Sequence, residues 1–377
     1  MAPKHFLSAL CLFACHLAKA QTLTSHIFRP STANPEIVDF DNFQYAYLNN
    51  PNNNAQLRNK LVVFLPGTGG TPFFYREFLQ YSASLGYHSL GLMYPNSRSV
   101  ARLCNFEEPQ NPDCPRDVRL EIIDGSDRTD LVEVDRPNSI ENRLIMAIAY
   151  LQENEPSEEW GQFLHTDSSL AWDRILICGH SQGGGHAALI AKRHAVNRCL
   201  VFAAADWFSF EDRLADWANE SSSTPPRNMY IFAHERDPIV PWNHVLSLAR
   251  ACDLDRFGEA LNTDSPLTKF RHRHILTTST EETSNFHNSV VVDQNTPLNN
   301  ENGEPTFQAI WRHMLLSETP PLSFEPLGTE SITLHWQTGI LEESTNLQNW
   351  TDQTGFESPR TFLRSEMEPK LFFRVRQ

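Results

Sequence analysis

The sequence predicts an α/β fold, a mostly parallel sheet flanked by helices, with a small all-β domain at its C-terminal end. Three observations carry this. Continuous apolar runs such as Leu61-Val-Val-Phe-Leu65 and Ile175-Leu-Ile-Cys178 read as strands covered on both faces. Between them lie segments with helical spacing, the clearest being Ile140, Leu144, Ile145, Ile148 and Leu151. Beyond Pro320-Pro321 the pattern turns to short alternating stretches at Ser331–Trp336, 340–344 and 371–375.

The order of elements follows from these signals. Lys4 and His5 precede an apolar run from Phe6 to Ala18, too short to span a bilayer, and Ala18-Lys-Ala20 is an A-x-A cleavage pattern. Residues 1–20 are therefore expected to be a signal peptide, with a secreted or periplasmic mature chain. A lipid anchor at Cys15 is disfavoured, because Phe13 sits badly in such a cleavage site. Weak strands are expected around Ile27, Ile37 and Tyr45. The strand at 61–65 runs into Pro66-Gly-Thr-Gly-Gly-Thr-Pro72, then a helix over about 73–85 and a strand over 88–94.

Between Asn96 and Arg136 the chain holds ten acids and six arginines. The segment 96–137 reads as an insertion crossing the top of the sheet, its charges a solvated surface, with short strands at 120–123 and 131–134. A charged cover argues against a lid that opens on a lipid interface. Ser139 caps a helix through about Gln152. Further strands are expected at 199–204, 229–233 and 270–278. Helices are expected through Trp217, over about 242–251, and over about 306–316. The domain reading is a main unit over 21–317 and a β domain over 318–377.

The formal charge of −15 argues against nucleic acid or an anionic membrane as partner. No stretch after the leader reaches about 18 apolar residues, so no membrane span is expected. Of the seven cysteines, Cys104 and Cys114 flank a polar, Pro-rich loop and are the best disulfide pair. Cys178 reads as core, and a Cys199–Cys252 pairing stays open.

The chemistry centres on Gly179-His-Ser-Gln-Gly183, a G-x-S-x-G between a strand and the alanine-rich helix that follows Gly185. A strand, a tight turn with serine at its apex, then a helix make a nucleophile elbow. Ser181 is the candidate nucleophile. It needs a base, and the base needs an orienting acid, in the chain order Ser, Asp or Glu, His. Asp237 follows the strand at 229–233 and is the expected acid, ahead of Asp206 and Glu235. His287 follows the last strand and is the expected base. His180 and His186 are held in the elbow, His272 and His274 lie in the last strand, and His313 lies in the final helix. His234 joins His272 and His274 as fallback bases. The backbone N–H of Gln182 and of Thr68, with Gly69 as runner-up to Thr68, are the expected oxyanion donors. The phosphate-cradle pattern, H-E-x-x-H and zinc spacings are all missing, so no cofactor or metal is expected.

Residues 60–316 resemble the α/β-hydrolase superfamily. The resemblance rests on Leu65-Pro-Gly-Thr-Gly-Gly70, the elbow Gly179–Gly185, Ala233-His-Glu-Arg-Asp-Pro238 and Phe286-His-Asn-Ser289. The pattern is similar to a little-described group of secreted bacterial members. The elbow recurs in lipases, esterases and polyester hydrolases, and no His-Gly-Gly-Gly oxyanion motif is present. The stretch Trp336–Trp350 with Phe372–Val375 is similar to a short β module on exported proteins of Verrucomicrobia and related bacteria, which implies a surface, sorting or spacer role. The expected activity is hydrolysis of small-molecule or polymer-attached carboxylic esters through an acyl-enzyme. A serine peptidase, an acyltransferase and a non-catalytic surface binding module are the alternatives.

Overall fold

The structure, a computed structural model, describes residues 23–49, 57–264, 273–317 and most of 322–376. The expected signal peptide and Cys15 lie outside the described residues. The core of the fold is a nine-stranded mixed sheet in the order β1-β2-β4-β3-β5-β6-β9-β11-β10. Its strands are β1 (Leu23–Phe28), β2 (Gln44–Asn49), β3 (Leu61–Leu65), β4 (His88–Gly91), β5 (Ile175–His180), β6 (Arg198–Phe202), β9 (Met229–His234), β10 (Leu261–Asn262) and β11 (Ile275–Thr278). From β4 to β10 every neighbouring pair is parallel, and β1 and β2 add an antiparallel edge. A small hairpin, β7 (Trp207–Phe208) with β8 (Arg213–Leu214), stands apart from the sheet.

The helices are α1 (Pro30–Ala33), α2 (Arg76–Ser84), α3 (Val100–Arg102), α4 (Cys114–Asp124), α5 (Ile140–Asn154), α6 (Gln182–Arg193), α7 (Trp242–Ala251) and α8 (Gln308–Leu316). Helix α2 packs with α8, and α4 packs with α5 and α6. Every residue of β3, β5 and β9 is buried, as a sheet covered on both faces requires. Ser139 caps α5 through its side chain, which accepts the Asn142 N–H.

From β3 the chain turns to β4 on one side, while β5 lies on the other. Crevices in parallel sheets open at such a reversal, beyond the C-terminal ends of the strands. The loop after β3 and Ser181 after β5 both sit there.

Several local expectations are corrected. Ile37 lies in irregular chain, although its side chain is buried. The strand from His88 ends at Gly91 rather than near Tyr94. The segment 120–123 is not a strand. It is the end of α4, which starts at Cys114 with Pro115 in its first turn and stops at Gly125 with φ 77°. Its apolar Leu120, Ile122 and Ile123 around Glu121 look strand-like, but Val118 and Ile122 share the helix spacing. Residues 131–134 are irregular. The chain before Trp217 is the β7–β8 hairpin and a 3-10 turn (Asp216–Asn219), not an α-helix.

Cys104 and Cys114 form a disulfide. Cys199 and Cys252 are buried free thiols, as is Cys178. Among the described residues no helix is long and apolar enough to cross a membrane. The described residues of 322–376 form two antiparallel three-stranded sheets with their own apolar cluster of Leu334, Trp336, Leu341 and Phe362. In chain order the strands are β12 (Leu322–Leu327), β13 (Ser331–Trp336), β14 (Ile340–Ser344), β15 (Thr351–Asp352), β16 (Arg360–Leu363) and β17 (Phe372–Arg376).

Candidate functional site

A cavity of about 790 Å³ opens at the reversal point. Ser181, Gln182, Thr68 and His287 all line it. Ser181 has φ 54° and ψ −119°, a conformation that an L-residue holds only when its surroundings impose it. The surroundings do so from both sides. The Ser181 N–H donates to the Phe202 carbonyl at 2.9 Å, and its own carbonyl accepts the Gly185 N–H at 3.1 Å. Gly183 then passes against β3, where a Cβ would stand 2.1 Å from the Leu65 carbonyl oxygen. Only glycine permits that approach.

Asp237 follows β9 and meets His287 directly: Asp237 Oδ2 lies 2.7 Å from His287 Nδ1. Both residues are 5% exposed. The other carboxylate oxygen accepts the Ile239 and Val240 N–H groups at 2.8 and 3.0 Å. The acid is thus gripped by its own turn and aimed at the ring. The competing acids are engaged elsewhere. Asp206 takes a two-point contact from Arg119, and Glu235 accepts from Asn262 Nδ2 at 3.2 Å.

The competing histidines are also engaged. His234 contacts the Thr280 carbonyl through Nε2 and accepts the Arg236 N–H at Nδ1. His274 contacts the Met229 carbonyl and stacks on Tyr230 and Phe257. His313 contacts the Arg273 carbonyl and Ser317 Oγ. His186 is wholly buried against the edge of Tyr94. His272 lies outside the described residues. Ser181 Oγ makes no hydrogen bond to His287 among the described residues. The His287 ring instead lies against the residue before the serine, with the His180 and His287 ring centroids 4.7 Å apart.

The loop after β3 is fixed amide by amide. Gly67 N–H donates to Tyr75 Oη at 3.0 Å, Gly69 N–H to the Asn96 carbonyl at 2.8 Å, and Gly70 N–H to the Gly67 carbonyl at 2.9 Å. Among the described residues Thr68 N–H has no acceptor, which separates it from its runner-up Gly69. Gln182 N–H stands at the first position of α6, where no intrahelical acceptor exists. Thr68 Oγ1 donates to Gln182 Oε1 at 2.6 Å and ties the two segments together.

Sequence reasoning missed three supports of this site. Asn96 Nδ2 donates to the Gly67 and Gly70 carbonyls, each at 2.9 Å, and holds the loop from outside. Tyr75 supports the same loop from inside. Arg119, counted as a surface charge, is 3% exposed and reaches Asp206 at 2.6 Å through both Nε and Nη2. Its Nη1 donates to the Gln182 carbonyl at 2.8 Å. Gly185 carries the available signal, since a Cβ there would meet the guanidinium at 2.2 Å.

The insertion therefore needs a different reading. Glu121 is also buried, accepting the Arg128, Thr129 and Val134 N–H groups. Much of the remaining charge pairs within the insertion or its flank, as in Arg98–Glu107, Arg116–Asp113, Arg128–Asp124 and Arg136–Glu141. What it gives the cavity is Ser99, Val100, Ala101, Asn105 and Arg119. Counting charges along the insertion therefore does not describe the cavity wall.

Asp293, just beyond the His287 segment, accepts the Arg76 and Glu77 N–H groups at 3.0 and 3.2 Å, at the start of α2. Burial outweighs those bonds and lifts its pKa from 3.8 to about 6. The folded chain then holds this proton more tightly than the unfolded chain. The resulting stability is present at low pH and is lost as pH rises from about 4 to about 6. Asp293→Asn should thus gain melting temperature relative to the natural chain between pH 4.5 and pH 7.5. Thermal unfolding at the two pH values checks this, and a difference independent of pH contradicts it.

Among the described residues His26, Glu155 and Glu158 form one compact group of metal-capable side chains. It lies outside the cavity lining, and Glu158 is already engaged by His26 and by Trp160 Nε1. Comparison with protein-family models and with curated proteins found no match to this chain.

Proposed function

We propose that the chain is a serine hydrolase of the α/β-hydrolase superfamily, cleaving carboxylic esters outside the cytoplasm. The observation that carries this reading is the 2.7 Å contact between buried Asp237 and His287, where His287 lines the same cavity as a serine at positive φ. Ser181 Oγ attacks the ester carbonyl while His287 Nε2 takes its proton. Asp237 holds the opposite ring nitrogen and stabilises the imidazolium. The Thr68 and Gln182 N–H groups receive the oxyanion. Collapse of the tetrahedral intermediate breaks the C–O bond, and His287 returns the proton to the leaving alcohol. Water, deprotonated by the same histidine, then releases the acid and restores Ser181. The Cys104–Cys114 disulfide supports an oxidising compartment.

The test is fluorophosphonate labelling of the purified mature chain, with hydrolysis of p-nitrophenyl esters and of peptide substrates in parallel. Labelling at Ser181 with ester turnover is the expected result. Peptide cleavage with no ester turnover would move the reading to a peptidase. A chain that is neither labelled nor active would move it to a binding module.

A further inference from the structure

Tyr75 and His180 are neither nucleophile, base nor donor, yet together they touch the segments that carry all three. Their hydrogen bonds have one consistent direction. A main-chain amide only donates, so Tyr75 Oη accepts from Gly67 N–H at 3.0 Å. A main-chain carbonyl only accepts, so His180 Nε2 carries a proton and donates to the His287 carbonyl at 3.0 Å. In the neutral ring, His180 Nδ1 is then an acceptor, and the Tyr75 hydroxyl donates to it at 3.1 Å. Burial holds His180 in that neutral form, its pKa pushed well below the usual value, with His287 adding to the shift. The result is an unbroken line from Gly67 N–H through Tyr75 and His180 to the His287 backbone, and its His180 immediately precedes Ser181 in the chain.

We propose that Tyr75 and His180 are positioning residues of the ester hydrolysis, fixing the Gly67–Thr68 loop and the His287 segment at one spacing from each other. This rests on the serine hydrolase reading above. The physical case lies in the loop. Gly67 N–H is buried and has Tyr75 Oη as its acceptor. Without that oxygen the amide must turn to find another partner, and the next amide along is that of Thr68. A donor moved off line matters most when charge is on the carbonyl oxygen, so the loss falls on the transition state rather than on substrate binding. At the other end, the His287 backbone would lose the donor that sets its ring against His180.

The experiment uses Tyr75→Phe, His180→Phe and the double variant in the full mature chain. It measures kcat and KM on p-nitrophenyl acetate, together with melting temperature. Tyr75→Phe is isosteric. It should lower kcat by about 10- to 100-fold while KM stays within about threefold. His180→Phe should do the same. Because both changes break one line, the double variant should fall no more than about threefold below the worse single variant. Independent packing defects would instead multiply. Full kcat in Tyr75→Phe, a loss confined to KM, or multiplied losses would each overturn the positioning role. If His180→Phe does not fold, the kcat–KM split of Tyr75→Phe decides alone. An inert wild-type chain overturns the hydrolase reading and this proposal together. An active wild type with an equally active Tyr75→Phe overturns this proposal only.

Discussion

Replacing Ser181 by Ala should reduce turnover of a short ester by roughly 10⁴-fold or more, and His287→Ala should match it, with the double variant little worse than either. The non-additivity is the diagnostic part. A nucleophile without its base, or a base without its nucleophile, leaves the same residual activity from binding and the oxyanion donors. Asp237→Asn should cost about as much for a separate reason. The Ile239 and Val240 N–H groups would claim the amide oxygen of the new Asn. Its NH₂ would then face His287 Nδ1 and force that nitrogen to accept. The ring proton moves to Nε2, where the base must be empty to take the Ser181 proton. Steady-state kinetics on the three single variants and the Ser–His double variant check this. A Ser181→Ala chain keeping more than a tenth of wild-type turnover would sink the assignment.

The largest loss of stability is expected from Arg119→Ala. Two buried hydrogen bonds of 2.6 Å to Asp206 and one of 2.8 Å to the Gln182 carbonyl disappear together. The carboxylate of Asp206, a residue 4% exposed, would keep, among the described residues, only the Trp217 Nε1 contact at 2.8 Å. Stranding one member of a buried ion pair costs about 3–5 kcal/mol. Exposed pairs such as Arg236–Glu281 should cost under about 1 kcal/mol on truncation. Urea unfolding of Arg119→Ala beside Arg236→Ala makes the comparison, and similar losses from the two would contradict it. On the proposed hydrolase reading Arg119→Ala should also slow catalysis, because the guanidinium holds the carbonyl of Gln182, the residue proposed as the second oxyanion donor.

How much of this was legible in the sequence depended on whether the signal was local. The buried strands, the Ser139 cap and the turn at Ser181 are written in consecutive residues, and the structure has them. Asp237 and His287 were found by chain order, and fifty residues apart they meet. Segment 120–123 misled because Leu-Glu-Ile-Ile, three apolar residues around one charge, looks alike in a strand and at the end of a helix. Arg119 misled because burial of a charge depends on a partner 87 residues away. Tyr75 and Asn96 gave no signal at all, since a hydroxyl or an amide acquires its role only when the loop it supports has been brought beside it.

After Gln182, helix α6 continues with Gly183, Gly184 and Gly185, and glycine lowers helix stability by about 1 kcal/mol per residue relative to alanine. Nothing in this first turn favours a helix on its own. The turn is held by β3 against Gly183, by Ala204 against Gly184 and by Arg119 against Gly185. The helical conformation of this turn therefore depends on contacts from β3, from the chain after β6 and from α4, and not on its own residues. A peptide cut from this region would carry the motif without the geometry.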